Sequence, residues 1–280
     1  MREVAIVGAG ELGGLIAHAI ARRNIVPVVR MIDLDHPRIA EGKALDITQA
    51  GAIEGFAADI RASNDLSTAG GAGIVVIADG AGKAAWSDDD EFALVRRIRG
   101  FATFASIVCA GASSRALVER ARELPVSRTE LVGSAPEALC AAARALVALE
   151  TNVSPSDVTL SVVGVPPGHV VAAWEDASIA GSAAVRVLST PARRRLADRI
   201  AALWPPGPYA LANAAAKVVQ VLAGRSRRSV TCFVAPDESA GVRTRAAALP
   251  VRRGRGERLE IVVPELSPAE RVALDNAMLL

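Results

Sequence analysis

The chain has 280 residues, of which 51% are hydrophobic and 22% are charged, with a formal net charge of +2. This length and composition are sufficient for one large or two modest domains with a substantial core. The nearly balanced charge argues against a nucleic-acid-binding protein, which usually carries a concentrated basic surface. No apolar run reaches the length of about 18 residues that a membrane span needs.

Two further features of the sequence concern its cellular environment. The N-terminal stretch MREVAIVGAG runs directly into a predicted strand and lacks the charged, apolar and cleavage regions of a secretory signal peptide. The cysteines are odd in number and far apart, which is typical of reduced thiols; they are Cys109, Cys140 and Cys232. The histidines are also scattered, so we predict a cytoplasmic protein without a metal site.

Short apolar runs alternate with helical patterns in the first half of the chain. The predicted strands are Glu3–Val7, Val28–Ile32, Ile74–Ile77 and Ile107–Cys109. After the first strand, apolar residues from Leu12 to Ile20 recur on one face of a helix. Strands that alternate with helices predict a parallel sheet with right-handed crossovers.

The second half has a different order of elements. The predicted helices are Pro136–Leu149, Thr190–Leu203, Ala210–Leu222 and one that opens at Ser267. The predicted strands are Thr159–Val163 and an antiparallel group formed by Ser229–Val234, Ala246–Val251 and Arg258–Val263. The charged run RRGRGER from Arg252 predicts an exposed hairpin turn.

A glycine pattern, GAGELG, joins the first predicted strand to the first predicted helix. Gly8 permits a tight turn, Gly10 lets the backbone approach a pyrophosphate, and Gly13 lets the helix pack closely on the sheet. The N-terminus of the helix then presents free N–H groups and a positive dipole end to the phosphates. The motif therefore predicts a dinucleotide site.

An acidic residue, Asp33, follows the second predicted strand at the spacing of roughly 20 residues that is typical of a ribose-binding carboxylate. Such a carboxylate accepts hydrogen bonds from ribose hydroxyls and repels a 2′-phosphate, which favours NAD over NADP. Asp35 is an alternative for this role, and Arg30 and Arg38 leave NADP open. The other interpretation is a βαβ unit of this type whose nucleotide site is no longer used.

Several longer segments resemble the malate/lactate dehydrogenase family. GAGELGGLIAHAIARR, EGKALDITQAG and SNDLSTAGGAGIVVIADG resemble its first half; GSAPEALCAAARALVALETNVSPSDV and GPYALANAAAKVVQVLAG resemble its second half. The resemblance covers almost the whole chain in order. It implies an α/β fold, with a Rossmann doubly wound parallel sheet at 1–132 and an α+β domain at 133–280. It also implies the cofactor NAD, hydride transfer to 2-keto acids, and a homodimer or homotetramer.

The resemblance places the cofactor site on one set of residues. The predicted cofactor-binding residues are Gly8, Gly10, Glu11, Leu12, Gly13, Asp33, Ala78 and Gly80.

The family's catalytic positions do not carry over. Alignment without gaps through NVSPSDVTLSVVGVPPGH places Pro166 at the catalytic histidine, and proline cannot transfer a proton. ALCAAAR matches the family's LDSARFR, which places Leu139 at the aspartate that orients the histidine and Ala142 at the arginine that clamps the substrate carboxylate. Arg144 alone remains of that motif's charged residues. Because positioned acid/base catalysis is typically worth about 10²–10⁴ in rate, we expect malate and lactate turnover to be lost.

The loop over the active site also departs from the family pattern. Where the family reads roughly AGLPRKPGMSR, this chain reads DGAGKAAWSD, so the two arginines become at best Lys83 and Asp88. The family's TNP, whose asparagine binds substrate, is replaced by Ala-Gly-Ala at 110–112.

Two residues are weak candidates for a replacement catalytic group. His169 lies three residues after Pro166 and is interpreted either as a relocated general acid/base or as a loop or strand histidine that points elsewhere. Lys83 could face a substrate carboxylate, although lysine lacks the planar fork of arginine; the alternative is a solvated loop lysine.

Other polar residues have simpler interpretations. The acids 88–91 are expected to cap the helix that follows them. Trp86 covers the cofactor end of the cleft or shields the loop, and Ser113 and Ser114 could hold a polar, uncharged substrate. His18 is interpreted as a packing detail of the first helix, and His36 as the edge of an adenosine pocket.

Two functional hypotheses follow. The first is a diverged NAD-binding member of this family, a candidate pseudoenzyme, that has lost malate/lactate chemistry. The second is an NAD-dependent oxidoreductase that acts on an unknown, non-carboxylate carbonyl or alcohol substrate with other catalytic residues.

Overall fold

A computed structural model describes residues 1–82, 86–120, 123–124, 127, 129–236, 245–254 and 259–280. The first half folds as β1 (Glu3–Val7), α1 (Glu11–Arg22), β2 (Val28–Ile32), α2 (Pro37–Glu54), β3 (Asp59–Ser63), β4 (Ile74–Ile77), α3 (Asp88–Phe101), β5 (Ser106–Cys109), α4 (Arg115–Arg120) and β6 (Leu131–Gly133).

The second half begins with α5 (Ala135–Thr151), β7 (Val158–Thr159), β8 (Val162–Val165), β9 (His169–Ala172), β10 (Ser178–Ile179) and β11 (Ser182–Ala183). It continues with α6 (Ala184–Val187), α7 (Thr190–Ala201), α8 (Pro208–Leu222), β12 (Val230–Val234), β13 (Ala247–Arg253), β14 (Leu259–Ile261) and α9 (Pro268–Ala277).

The strands of the first half form a parallel sheet in the order β3-β2-β1-β4-β5-β6. This is the order of a doubly wound dinucleotide-binding fold. The central strands are mostly apolar, as expected for a sheet that is covered by helices on both faces; β4, for example, is buried at every position, whereas the edge strand β3 (DIRAS) has no buried position. The predicted Rossmann sheet is therefore confirmed.

The sheet continues into the second half of the chain. Phe233 of β12 pairs with Gly133 of β6 in antiparallel orientation, and β13, β8 and β9 follow, with β14 paired to β13. The predicted antiparallel group near the C-terminus is thus present. The domain division at 132/133, which stays a prediction, falls inside β6.

Two expectations from the sequence need adjustment. The strand predicted at Thr159–Val163 is wrong as one element, because the chain changes sheets within it: β7 pairs with β10 in a small separate sheet, whereas β8 joins the large sheet. The predicted turn from Arg252 falls partly on residues 255–258, outside the described residues, while Arg252 and Arg253 themselves extend β13.

A buried ion cluster ties three elements of the second half together. The Glu137 side chain, only 3% exposed, accepts hydrogen bonds from Arg144 at 2.8 Å, from Lys217 at 2.6 Å and from the Thr231 amide at 2.9 Å. Because these residues lie on α5, α8 and β12, one carboxylate joins two helices to the sheet. Arg144, the charged residue retained in the segment ALCAAAR, is therefore paired with Glu137 in this cluster.

We predict that Glu137→Ala lowers the free energy of unfolding by about 3 kcal/mol or more, because it leaves Arg144 and Lys217 half-buried without their shared partner. Denaturant titration measures the effect. The control is Glu150→Ala, which removes a more exposed pair with Arg195 and should cost less than about 1 kcal/mol. Equal small losses for both variants would contradict this role for Glu137.

Candidate functional site

A cleft of about 580 Å³ opens at the carboxyl ends of the parallel strands. In folds of this kind ligands bind at this edge of the sheet, where the strand order reverses. The residues that line the cleft include Glu11, Leu12, Ala78, Asp79, Trp86, Glu91, Ser113 and Trp204. The described residues therefore form one cleft from the glycine loop, the segments after β4 and β5, and the start of α8.

The glycine loop has the geometry that the motif requires. Gly8 has φ +107°, and a Cβ there would collide with the carbonyl oxygen of Asp79. A Cβ at Gly13 would collide with the Gly8 carbonyl, so the close approach of α1 to the loop also needs glycine. The Gly10 amide donates to the Asp79 carbonyl at 2.9 Å, which fixes the loop against the end of β4.

The N-terminus of α1 has both free and occupied donors. The amides of Glu11 and Leu12 have no hydrogen-bond partner in the described part of the chain. This is expected for the first turn of a helix, whose free N–H groups can bind an anion. The Gly13 amide, in contrast, donates to Oδ1 of Asp79 at 3.0 Å. A carboxylate of the protein itself thus lies at this helix end.

Asp33 lies at the end of β2, where the spacing predicted it, but it is only 4% exposed. Its Oδ2 accepts from the amides of Ala9 and Ala81, both at 2.9 Å, and its Oδ1 from the amides of His36 at 2.8 Å and Asp35 at 3.3 Å. Burial by itself raises the pKa of Asp33, but these hydrogen bonds, led by those of Ala81 and Ala9, outweigh it and lower that pKa. In this conformation backbone donors bind both oxygens of the carboxylate that the sequence predicts to bind a ribose.

Glu91 is a cleft residue that sequence reasoning assigned only to helix capping. Ser87 is the cap of α3, since its hydroxyl accepts from the Asp90 amide at 3.2 Å. The Glu91 side chain instead turns inward, is 7% exposed and lines the cleft, and it has no hydrogen bond or ion pair among the described residues. Burial, with a smaller contribution from the charge of Asp88, raises the pKa of Glu91 to about 7.

A signal for Glu91 is present in the sequence. The buried residues of α3 are Glu91, Leu94, Val95 and Ile98, which follow the i, i+3, i+4, i+7 spacing of one helix face. Glu91 thus occupies the first position of the apolar stripe, where an acid is unexpected.

The remaining predicted residues divide between the cleft and other places. The indole of Trp86 donates to the Ala78 carbonyl at 2.6 Å, and both residues line the cleft together with Ser113. Gly80 is buried beside this wall, whereas Ser114 is 1% exposed and does not line the cleft. His36 N-caps α2 close to Gly82.

The structure does not bring His169 to the cleft. It lies on β9, the edge strand of the sheet, where it is exposed and paired with Val165. His18 lies at the surface 3.2 Å from Glu54. Lys83, the other weak candidate, lies outside the described residues.

The positions that the resemblance assigns to catalytic groups lie in a turn, in an apolar core cluster and on a helix surface. Pro166 lies in the turn between β8 and β9. Leu139 is 2% exposed and packs in a core cluster with Trp174, and Ala142 is half-buried on α5. None of the three lines the cleft.

Within the described residues, no helix is long and apolar enough to cross a membrane.

These residues fit a dinucleotide in part. The glycine loop and the unpaired amides of Glu11 and Leu12 suit a pyrophosphate. Asp33 lies where the spacing predicts a ribose-binding carboxylate, but both of its oxygens accept backbone hydrogen bonds. The carboxylate of Asp79 is the group that does not suit an anionic ligand.

Comparisons with known proteins agree with this fold. Residues 2–91 match the sequence model described as lactate/malate dehydrogenase, NAD binding domain. A malate dehydrogenase of Thermomicrobium roseum is 28% identical over 99% of this chain and 94% of its own length. One from Dehalococcoides mccartyi is 26% identical over 98% of this chain and 95% of its own length.

Solved structures share the fold at lower identity. The malate dehydrogenase of Salinibacter ruber superposes with a TM-score of 0.86 at 20% identity, covering 99% of this chain and 94% of that one. A lactate dehydrogenase of Cryptosporidium parvum, complexed with lactic acid and nicotinamide adenine dinucleotide, gives 0.84 at 20% identity and the same coverage. Residues 2–91 therefore match an NAD-binding domain of the lactate/malate dehydrogenase type, and the chain as a whole is similar to malate dehydrogenases in sequence over nearly its full length and shares the fold of malate and lactate dehydrogenases.

Proposed function

We propose that this protein binds NAD but does not catalyse hydride transfer on malate or lactate. The observation that carries the proposal is the loss of three catalytic positions together, since they hold Pro166, Leu139 and Ala142. Proline has no proton to transfer, and neither leucine nor alanine can orient a histidine or bind a carboxylate. The curated relatives are named malate dehydrogenases, but this chain lacks the side chains that such chemistry needs at those positions.

The charge of the cleft supports the same proposal. The described residues that line it include the carboxyl groups of Glu11, Asp79 and Glu91 and no lysine or arginine. A 2-keto acid carries a carboxylate, which a dehydrogenase of this family must hold with a cation. Like charges in a partly enclosed cleft repel, so these walls disfavour such a substrate.

A second candidate function is favoured by Glu91. A buried carboxyl whose pKa lies near 7 can donate a proton at one step and accept it at another, which is what a general acid/base needs. Bound NADH would supply the hydride to the carbonyl carbon, and Glu91 would supply the proton to the carbonyl oxygen and then regain one from solvent. The substrate would be an uncharged carbonyl compound, or in reverse an alcohol, because the cleft walls repel an anion.

We predict that the purified protein binds NADH in preference to NADPH but shows no turnover of oxaloacetate or pyruvate above background. The rate should be lower than that of an active relative by roughly 10⁴ or more, since both proton transfer and carboxylate clamping are absent. Titration calorimetry measures binding, and NADH absorbance measures turnover. Turnover comparable to that of an active relative would overturn the proposal.

A second variant tests whether Pro166, Leu139 and Ala142 occupy the family's catalytic positions. The variant Pro166→His, Leu139→Asp, Ala142→Arg, with the family's loop in place of residues 79–88, should gain measurable 2-keto acid reduction. The control carries the loop and the first two changes but keeps Ala142, and it should remain far slower because the substrate carboxylate is not clamped. A folded, NADH-binding variant that stays inert would contradict the matching.

We predict that the stability of the wild type falls as pH rises from about 4.5 to about 8, and that Glu91→Gln removes this dependence. The folded-state pKa of Glu91, about 7, lies above the usual glutamate value of 4.5, so its contribution to stability is present at low pH and lost as pH rises through that interval. At about 1.36 kcal/mol for each pKa unit, the relative loss is roughly 2–3 kcal/mol. Thermal unfolding across this pH range measures it, with Asp275→Asn on the exposed face of α9 as the control.

The second candidate function is tested on a panel of uncharged aldehydes and ketones with NADH. If any is reduced, Glu91→Gln should lower kcat by about 10²-fold or more and leave NADH binding unchanged, whereas His169→Ala should have no effect. If Glu91→Gln retains full activity, Glu91 is not the acid/base. If no compound is reduced, the binding function alone stands.

A further inference from the structure

We infer that Asp79 is an internal anion of the cofactor loop and sets the affinity for NAD: its carboxylate has to leave the N-terminus of α1 before the pyrophosphate can bind. This inference rests on the proposed binding of NAD. It concerns a residue that the glycine motif does not include and that directly follows Ala78 at the end of β4.

Both oxygens of the Asp79 carboxylate contact the glycine loop, which fixes its position. Oδ1 accepts from the Gly13 amide at 3.0 Å. Oδ2 packs against Gly10 and occupies the place where a Cβ of that residue would lie. Gly10, the glycine whose absent side chain leaves room for a pyrophosphate, thus makes room for a carboxylate of the chain itself.

The negative charge of Asp79 is stabilised mainly by the positive end of the α1 dipole. Among the described residues it has no ion pair, and Lys43 donates to the Gly10 carbonyl rather than to this carboxylate. The positive end of α1 favours the negative charge there, as it would favour a phosphate. The carboxylate and a pyrophosphate therefore compete for one favourable potential and repel each other at short range.

The same segment of chain also covers the ribose acid. Two residues after Asp79, the Ala81 amide donates to Oδ2 of Asp33 at 2.9 Å. Displacement of residues 79–81 from the sheet edge would free an acceptor of Asp33 and clear the anion position at once. The segment thus mimics the cofactor at two points, the phosphate and the ribose.

The experiment compares the wild type with Asp79→Asn, which keeps the acceptor for the Gly13 amide but removes the charge. We expect NADH to bind at least tenfold more tightly to the variant, while the melting temperature without NADH falls because the helix end loses its anion. Reduced nicotinamide riboside, which lacks phosphates, should gain less than twofold. Asp275→Asn serves as the control for an equal change in net charge and should alter neither readout.

The outcomes separate this inference from the proposed function. If Asp79 has a purely structural role, Asp79→Asn lowers the melting temperature without any gain in NADH affinity. That result overturns the inference, while NAD binding stands. Tight binding by the variant and none by the wild type supports the inference and refutes NAD binding by the native chain. Absence of binding by both overturns both.

Discussion

The carboxylate of Asp33 is the constraint on which the geometry of the cleft depends. It accepts four backbone hydrogen bonds, from Ala9 after β1, from Asp35 and His36 after β2, and from Ala81 after β4. Three loops that leave neighbouring strands are therefore joined at one buried charge. Removal of such a carboxylate would leave several buried N–H groups without acceptors, which is more costly than the loss of the bonds themselves. The glycine loop owes its position to this residue as well as to its own sequence.

The scaffold, the glycine loop and the position of Asp33 could be predicted from the sequence because they depend on local patterns. The turn at Gly8 and the spacing to Asp33 are short-range features of one βαβ unit. The donors to Asp33 could not be predicted in the same way, since Ala81 is 48 residues away and reaches the carboxylate only through the register of β4 beside β1. For the same reason the motif does not reveal Asp79.

Glu91 illustrates a different limit. Four consecutive acids at the start of a helix suggest capping, and for Asp88, Asp89 and Asp90 the exposed positions agree with that interpretation. Composition alone does not separate the fourth acid from the others. Its helical phase does, because Glu91 shares a face with Leu94 and Val95. The apolar period of α3 therefore identifies Glu91 in the sequence, because it places this acid at the start of the stripe.

The residues at the positions that the resemblance assigns to catalysis fit the packing around them. Leu139, which the resemblance places at the orienting aspartate, is 2% exposed within an apolar cluster and contributes to packing there. An aspartate returned to that place without a histidine partner would be a buried, unpaired charge, which costs several kcal/mol. An aspartate at 139 and a histidine at 166 would therefore be energetically coupled, and with Pro166 in place an apolar residue at 139 is the more stable choice. On the proposed loss of malate/lactate chemistry, stability alone would maintain the fold and oppose single substitutions toward the family's catalytic residues.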